Sequence, residues 1–293
     1  MVRRLACITA AALAVVPASM GRARAGDIVA ATETARPGSP DAGVPAGTKL
    51  TTYTGPMTIT QAGTVIEGKI INGSLLVTAP NVIIKNCVIN YDGWWGVDAE
   101  GAKNITVQNC DITGPGFAKN ANAAILGSGH FIGNDISKSE NGIVLSSGGG
   151  ISTVKGNFIH DLAAAGADPH YDGIAVQGGQ NGVLIEGNTV IGRDTSDIFI
   201  KNDFGPINDV TVKGNLLLGD AGYQVYVDGR ASGGAITGVT IADNYVQKGG
   251  YGYYSVDNSK PLISGNVEFL PGKMPRSMLE TGVHPAGWPA TPE

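Results

Sequence analysis

One histidine of the sequence lies between two acids in a pattern that suits proton transfer. His170 stands two residues after Asp168 and two before Asp172, in the stretch DPHYDG. An imidazole titrates near neutral pH and can act as acid or base, and a neighbouring carboxylate can orient it. We therefore predict that His170 and Tyr171 form a proton-transfer pair and that Asp172 orients His170. The alternative is a histidine that only pins a loop by hydrogen bonding.

A lysine further along the chain supplies a cation for the same chemistry. Lys201 closes the alternating stretch DIFIK, and it is predicted either to neutralise a substrate carboxylate or take a proton, or to pair with Asp228. Carboxylate oxygens are the ligands that Ca²⁺ prefers, so Ca²⁺ is a candidate cofactor if the loops converge. The candidate ligands are Asp168, Asp197 and Asp203, and the candidate substrate-binding residues are Gln177, Phe199, Tyr226, Asp228 and Arg230.

The element that must position these residues is a repeat. Eight copies of an apolar alternation, each followed by Asn or Cys and another apolar pair, are separated by 23, 24, 23, 31, 27, 29 and 22 residues. This period, the β-branched alternation and 44 glycines predict an all-β fold, a single-stranded right-handed parallel β-helix of about nine coils. Stacked Asn side chains would bond along its axis and tolerate left-handed turns. The repeats are anchored on Cys87, Cys110, Asn134, Asn157, Asn188, Asn215, Asn244 and Asn266.

A second strand in each coil predicts which side chains form the core. Period-two alternation turns four pairs inward: Ile143/Leu145, Ile174/Val176, Ile198/Ile200 and Val225/Val227. The residues just before each pair, namely Gly142, Gly173, Asp197 and Gln224, are then predicted to point outward. Insertions in a solenoid form loops on one face, so the long intervals of 31, 27 and 29 should mark the coils that carry the site.

Composition and the terminal segments bound the class of protein. Residues 1–25 carry an Arg pair, an apolar run and an A-x-A site, the pattern of a secretory signal, so a secreted or periplasmic protein without a membrane span is expected. Without them, 16 basic residues face 25 acidic ones, a net charge of −9, which argues against a nucleic-acid partner. Residues 26–47 are predicted to be an extended leader, 48–267 the β-helix domain and 268–293 a capping tail.

Two cysteines remain after the predicted signal. Cys87 and Cys110 occupy the same position of successive coils, about one strand spacing of roughly 4.8 Å apart. A disulfide is conceivable in an oxidising compartment, although side chains stacked in register point the same way, which would strain it. The alternative is a stack of small buried thiols that continues the Asn ladder.

Three stretches carry a resemblance to a known group. With GVPAGTKLTTYTGPMTITQAGTVIEGKII, DPHYDGIAVQGG and IFIKNDFGPINDVTVKGN, residues 42–266 resemble bacterial exported right-handed β-helix repeat proteins of the pectate-lyase-like superfamily. The resemblance implies cleavage or modification of a polysaccharide, although fold analogy alone does not fix the reaction. The polygalacturonase motifs N-T-D, D-D, G-H-G and R-I-K are absent. The Asp-Pro-His of mannuronan epimerases is matched at 168–170, but Ala165 replaces the tyrosine expected before it.

Three hypotheses about function follow. The leading one is a secreted carbohydrate-active enzyme that abstracts the C5 proton of a uronic acid, as a polysaccharide lyase or C5-epimerase. The second is a glycoside hydrolase with paired carboxylates drawn from Asp172, Asp197 and Asp228. The third is a surface or matrix protein that binds a polysaccharide without turnover.

Overall fold

The chain winds into a solenoid of stacked coils, each contributing one strand to three separate sheets. This is seen in a computed structural model that describes residues 42–146 and 151–270. Every strand pair in the described ranges is parallel, and neighbours in a sheet come from successive coils. The only helical element described is a single 3₁₀ turn, Gly116–Ala118. The predicted right-handed parallel β-helix is confirmed.

We number the strands in chain order and name the sheets A, B and C. Sheet A has ten strands: β1 (Thr51–Thr52), β4 (Lys69–Asn72), β7 (Val88–Asn90), β10 (Asp111–Thr113), β13 (Asp135–Ser137), β16 (Phe158–His160), β19 (Thr189–Gly192), β22 (Leu216–Gly219), β25 (Tyr245–Val246) and β28 (Val267–Glu268). Sheet B has nine: β2 (Thr58–Ile59), β5 (Leu75–Val77), β8 (Trp95–Ala99), β11 (Ala123–Gly127), β14 (Asn141–Leu145), β17 (Asp172–Gln177), β20 (Ser196–Lys201), β23 (Tyr223–Asp228) and β26 (Gly252–Asp257). Sheet C also has nine: β3 (Val65–Glu67), β6 (Ile83–Lys85), β9 (Ile105–Gln108), β12 (Gly129–Ile132), β15 (Ser152–Lys155), β18 (Asn181–Glu186), β21 (Ile207–Lys213), β24 (Ile236–Ala242) and β27 (Leu262–Ser264).

The core is a column of aliphatic side chains enclosed by the three sheets. In sheet B the predicted inward pairs are all buried, and they stack in register, with Ile143 beside Ile174, Ile174 beside Ile198 and Ile198 beside Val225. Burying each such side chain contributes about 1.5–3 kcal/mol relative to exposure. For these four pairs, the alternation of the sequence therefore determines which side chains enter the core.

A ladder of six buried asparagines runs beside this core. The main-chain N–H and the Nδ2 of Asn157 both donate to Oδ1 of Asn188 at 2.9 Å, and the pattern repeats from Asn134 to Asn266. The predicted bonding along the axis is present. The left-handed backbone, however, belongs to the residue before each of them, such as Gly156 and Gly187 with φ of +63°.

The column predicted to point outward before each core pair points inward instead. Asp197 and Gln224 are fully buried, and a Cβ on Gly142 or Gly173 would lie 2.7 or 2.3 Å from Ile159 or Val190 of sheet A. The first residues of each sheet B strand face the angle where the coil turns out of sheet A. Strict alternation of buried and exposed residues fails there because sheet A lies opposite these positions and covers them.

The cysteines and the segment ends complete the fold. Cys87 and Cys110 are both free and buried, so they form the thiol stack rather than a disulfide.

Three predicted segments lie wholly or partly outside the described residues: the signal of 1–25, the leader up to residue 41 and the tail from 271. In the described ranges, no helix is long and apolar enough to cross a membrane.

Candidate functional site

His170 and Asp172 come together where the loop of residues 161–171 enters β17. The imidazole Nδ1 lies 3.5 Å from Oδ2 of Asp172, and the Ser196 hydroxyl donates to Oδ1 of the same carboxylate at 2.6 Å. The side chain of His170 is 63% exposed, whereas that of Asp172 is 8% exposed. A solvent-facing imidazole therefore rests on a buried, hydrogen-bonded carboxylate, a geometry that can orient the ring.

The preceding coil holds this segment through its main chain. Oε1 of Glu140 accepts a hydrogen bond from the N–H of His170 at 2.8 Å. Oδ1 of Asn141 accepts one from the N–H of Asp172 at 3.0 Å. Glu140, just before β14, and Asn141, the first residue of β14, thus bind alternate residues of the next coil.

A continuous row of five rings crosses successive coils on the outer face of sheet B. His170 stacks on Phe199 with centroids 6.0 Å apart, and Phe199 meets Tyr226 edge-on at 5.3 Å. Tyr223 extends the row at 5.3 Å from Tyr226 and reaches Tyr251 at 5.7 Å. Phe199 and Tyr226 are in-register partners. The row offers flat apolar faces with polar edges, the kind of surface on which ligand rings stack.

Charged residues follow the C-terminal ends of the same strands. Lys201 lies between its in-register partners Gln177 and Asp228. Its Nζ is 3.2 Å from Oδ2 of Asp203 and 5.7 Å from the centroid of the Phe199 ring. An edge of paired charges, with Lys201 as one of its cations, therefore runs beside the row of rings.

Arg230 is bound to two acids on this edge. Its Nη2 lies 2.8 Å from Oδ2 of Asp228 and its Nε 2.9 Å from Oδ1 of the same carboxylate, a bidentate pair. The same Nε is 3.7 Å from Oδ2 of Asp257 on the next coil. Such a fork geometry fixes the plane of the guanidinium, whose side chain remains 63% exposed.

We call the row of five rings, together with the charged edge of Lys201 and Arg230 beside it, the groove. Its electrostatics follow from the contacts just described. The hydrogen bond to Asp172 raises the pKa of His170, against the opposing effects of burial and of the Lys201 charge. Burial raises the pKa of Tyr226 to about 12. Burial also raises the pKa of Asp228, but the hydrogen bonds and charge of Arg230 outweigh it, so that pKa lies below its usual value. Burial raises the pKa of Glu140.

Two predicted site residues lie elsewhere. Tyr171 is 1% exposed and belongs to the core, with the guanidinium of Arg193 over its ring at 5.1 Å, so its phenol does not face the groove. Asp197, the second residue of β20, is fully buried. Burial raises its pKa well above the usual value, and the nearby amides of Gly192 and Leu218 offset this rise only in part. Among the described residues, neither of its carboxylate oxygens makes a hydrogen bond of regular geometry.

The predicted Ca²⁺ ligands do not come together. Asp197 is buried, Asp203 is paired with Lys201, and Asp168 is exposed on the loop. Across residues 42–146 and 151–270, no three His, Cys, Asp or Glu side chains form a group that could hold a metal ion. The donor set therefore does not fit Ca²⁺, and no step is assigned to it.

Four members of the site were missed from the sequence. Each lies at a strand end or in a turn, and only the register of neighbouring coils brings it to the groove. Glu140 stands just before β14, and Ser196 begins β20 directly beside Asp172. The others are Tyr223 and Asp257.

Three parallel sheets around one aliphatic column, with a polar and aromatic groove on the outside of sheet B, define a right-handed parallel β-helix. Residues 117–267, just over half of the chain, match the family model described as the right handed beta helix region. The chain belongs to this family. No match was found among the curated proteins or the solved structures with which it was compared.

Proposed function

We propose that the protein is an exported carbohydrate-active enzyme that abstracts the C5 proton of a uronic acid in an acidic polysaccharide, as a lyase or C5-epimerase. The observation that carries this proposal is the position of the His170 imidazole, which stands on Asp172 at one end of a row of five rings and beside the cation of Lys201. A long row of rings suits an extended chain of sugars better than a small, enclosed ligand.

The groove supplies a role for each part of the reaction. His170 takes the C5 proton through Nε2, because Nδ1 faces Asp172. Lys201 binds the substrate carboxylate and stabilises the enolate-like charge that develops when the C5–H bond breaks. In this proposal Tyr226 replaces Tyr171 as the proton donor, because its ring lies half-buried on the groove, next to Phe199 in the row that begins at His170.

The two outcomes of proton abstraction differ in the next bond. In β-elimination the electron pair forms a C4–C5 double bond, the C4–O bond breaks, and the leaving oxygen takes a proton. In epimerisation a proton returns to C5 from the opposite face. Both reactions need the same base and the same cation.

The experiment is an incubation of the protein with a panel of polyuronates and neutral glycans, in Ca²⁺ and in chelator. Ultraviolet absorbance detects the unsaturated product, proton NMR in D₂O detects exchange at C5, and a reducing-end assay detects hydrolysis. Absorbance or C5 exchange on a polyuronate is the expected result. New reducing ends without absorbance would instead support hydrolysis by paired carboxylates, and retention on a polysaccharide gel without any product would support binding alone. Either of these would overturn the proposal.

The hydrolase alternative has a specific weakness in the groove. Asp228 and Asp257 are in register on neighbouring coils, a separation of roughly 5 Å that would suit a retaining pair. Arg230 contacts both of them and lowers the pKa of Asp228, whereas a general acid needs a raised pKa. The other two predicted candidates do not face the groove freely: Asp197 is fully buried, and the buried carboxylate of Asp172 is held between His170 and Ser196.

A further inference from the structure

We infer that Glu140 is a positioning residue that holds the His170 backbone so that the imidazole stays on Phe199 and Asp172. This deepens the proposed function and rests on it for the catalytic role of His170. The structural part of the inference, the anchoring of the imidazole, stands on contacts alone and can be tested without turnover.

The end of the loop that carries His170 is paired through its main chain with the following coil but not with the preceding one. The Tyr171 carbonyl accepts from the N–H of Ser196 at 3.0 Å, and Asp172 pairs with Ser196 of β20, whereas ladder pairing with β14 begins only at Ile143 and Ile174. The side chains of Glu140 and Asn141 take over there, accepting from the N–H groups of His170 and Asp172 at 2.8 and 3.0 Å.

The side chains of Asn141 and Glu140 differ in their burial and charge. Asn141 is buried and in turn donates to the main chain of Asn122 at 3.2 Å, so it belongs to the coil packing. Glu140 is only half-buried, and burial raises its pKa even though the His170 N–H, the largest opposing contribution, favours the ionised form. A carboxylate that accepts from one N–H makes a hydrogen bond stronger than a neutral one.

The charge of Glu140 also reaches the imidazole. Three charged groups act on His170 besides burial: Asp172 and Glu140 raise its pKa, and Lys201 lowers it. Glu140 therefore acts on the base in two separable ways, through position and through charge. Glu140→Ala removes both, whereas Glu140→Gln keeps an acceptor of the same shape and removes only the charge.

The test is a proton NMR titration of the imidazole C–H signals of the folded protein, assigned to His170 by its loss in His170→Ala. We expect Glu140→Ala to move the His170 pKa toward that of an unperturbed histidine and to shift its C–H signals as the ring leaves Phe199. Glu140→Gln should keep the ring shifts of the parent protein with a smaller change of pKa. The matched control is Glu186→Ala, which removes a glutamate paired with Lys155 and Lys213 on sheet C and should leave the His170 signals unchanged.

Two results would overturn the inference. One is a Glu140→Ala protein whose His170 pKa and ring shifts equal those of the parent. The other is a Glu140→Gln protein that shifts as much as Glu140→Ala, since the carboxylate would then act by charge alone. If the substrate panel shows turnover, Glu140→Ala should lower kcat about 10-fold or more with KM within about twofold, and Glu140→Gln should restore most of it. Lack of any turnover would defeat the proposed function and leave the titration result standing.

Discussion

Lys201 pairs with Asp203, two residues further along the chain, whereas Asp228, its in-register partner on the next coil, pairs with Arg230. The predicted alternative, a Lys201–Asp228 pair across coils, is therefore not formed. Nζ of Lys201 is held by one partly exposed carboxylate at 3.2 Å, and an exposed ion pair of this kind is worth only about 0.2–1 kcal/mol. A substrate carboxylate can displace it at little cost.

Loss of either His170 or Lys201 should therefore remove most of the activity. His170→Ala and Lys201→Ala are each expected to lower kcat by about 100-fold or more, the usual contribution of a general base or of one charge-stabilising group. Initial rates on the substrate that passes the panel provide the measurement. Lys213→Ala is the matched control, because Lys213 pairs with Glu186 on sheet C, away from the groove. Full activity in both groove variants would refute the assignment.

The pH dependence of the reaction should follow the titration of His170. A base must be neutral, and the pKa of His170 is raised by its hydrogen bond to Asp172. The value of kcat/KM should therefore fall as pH falls through that raised pKa, at a higher pH than for an unperturbed histidine. Asp172→Asn removes the partner charge, so the acidic limb should move to lower pH. An unmoved limb in this variant would mean that another group is the base.

Binding should depend on the row of rings. Phe199→Ala removes the ring between His170 and Tyr226, and we expect the affinity for the bound glycan to fall about tenfold, equivalent to about 1.4 kcal/mol. Affinity electrophoresis in polysaccharide gels provides the measurement. Phe117→Ala is the control, since Phe117 is equally large, is exposed and contacts Arg193 rather than the row. Equal retention of both variants would count against the groove.

Asp197 should destabilise the fold at neutral pH. Its pKa is raised by burial, so between the unfolded value of about 3.9 and the raised folded value the unfolded chain releases a proton that the folded chain keeps. Stability therefore falls as pH rises through that window. Asp197→Asn removes this loss, and at pH 8 we expect its Tm to rise by at least about 2 °C, the equivalent of roughly 1 kcal/mol in a chain of this size.

The gain of Asp197→Asn should shrink toward pH 4, because near the unfolded pKa of about 3.9 the unfolded parent begins to hold the proton as well. Scanning calorimetry at the two pH values measures it. Asp220→Asn changes an exposed aspartate between β22 and β23 and should leave Tm unchanged. A lower Tm for Asp197→Asn at pH 8 would show that the buried carboxylate is stabilising.

Substitution in the buried asparagine ladder should destabilise the protein far more than substitution of an exposed asparagine that bonds to the neighbouring coil. Asn188→Ala leaves the N–H of Asn157 and the carbonyl of Val154 without their side-chain partner in the core, at a cost of about 3 kcal/mol and roughly 6–12 °C in Tm. Asn90→Ala removes only an exposed contact to Asn72 and should cost under about 1 kcal/mol. Thermal unfolding of both variants provides the comparison, and equal losses would contradict the role given to burial.

The fold and part of the site could be predicted from the sequence because they depend on local patterns. Alternation and the repeat interval are local, so the inward set of Ile143 and its equivalents and the coil of His170 could be predicted. The fate of Asp197 could not, because its environment is the backbone of sheet A opposite it. Glu140 lay 30 residues from His170 in sequence, and only the register of coils brings them together.

The asparagine ladder also makes the solenoid electrically polar. Each Nδ2 from Asn134 to Asn244 donates to the Oδ1 of the asparagine on the next coil, so these side-chain amide dipoles point the same way along the axis. Each amide polarises its neighbour, and hydrogen bonds in such a chain strengthen one another. The stack therefore carries an aligned dipole made of side chains alone, with its positive end toward the C-terminal coils.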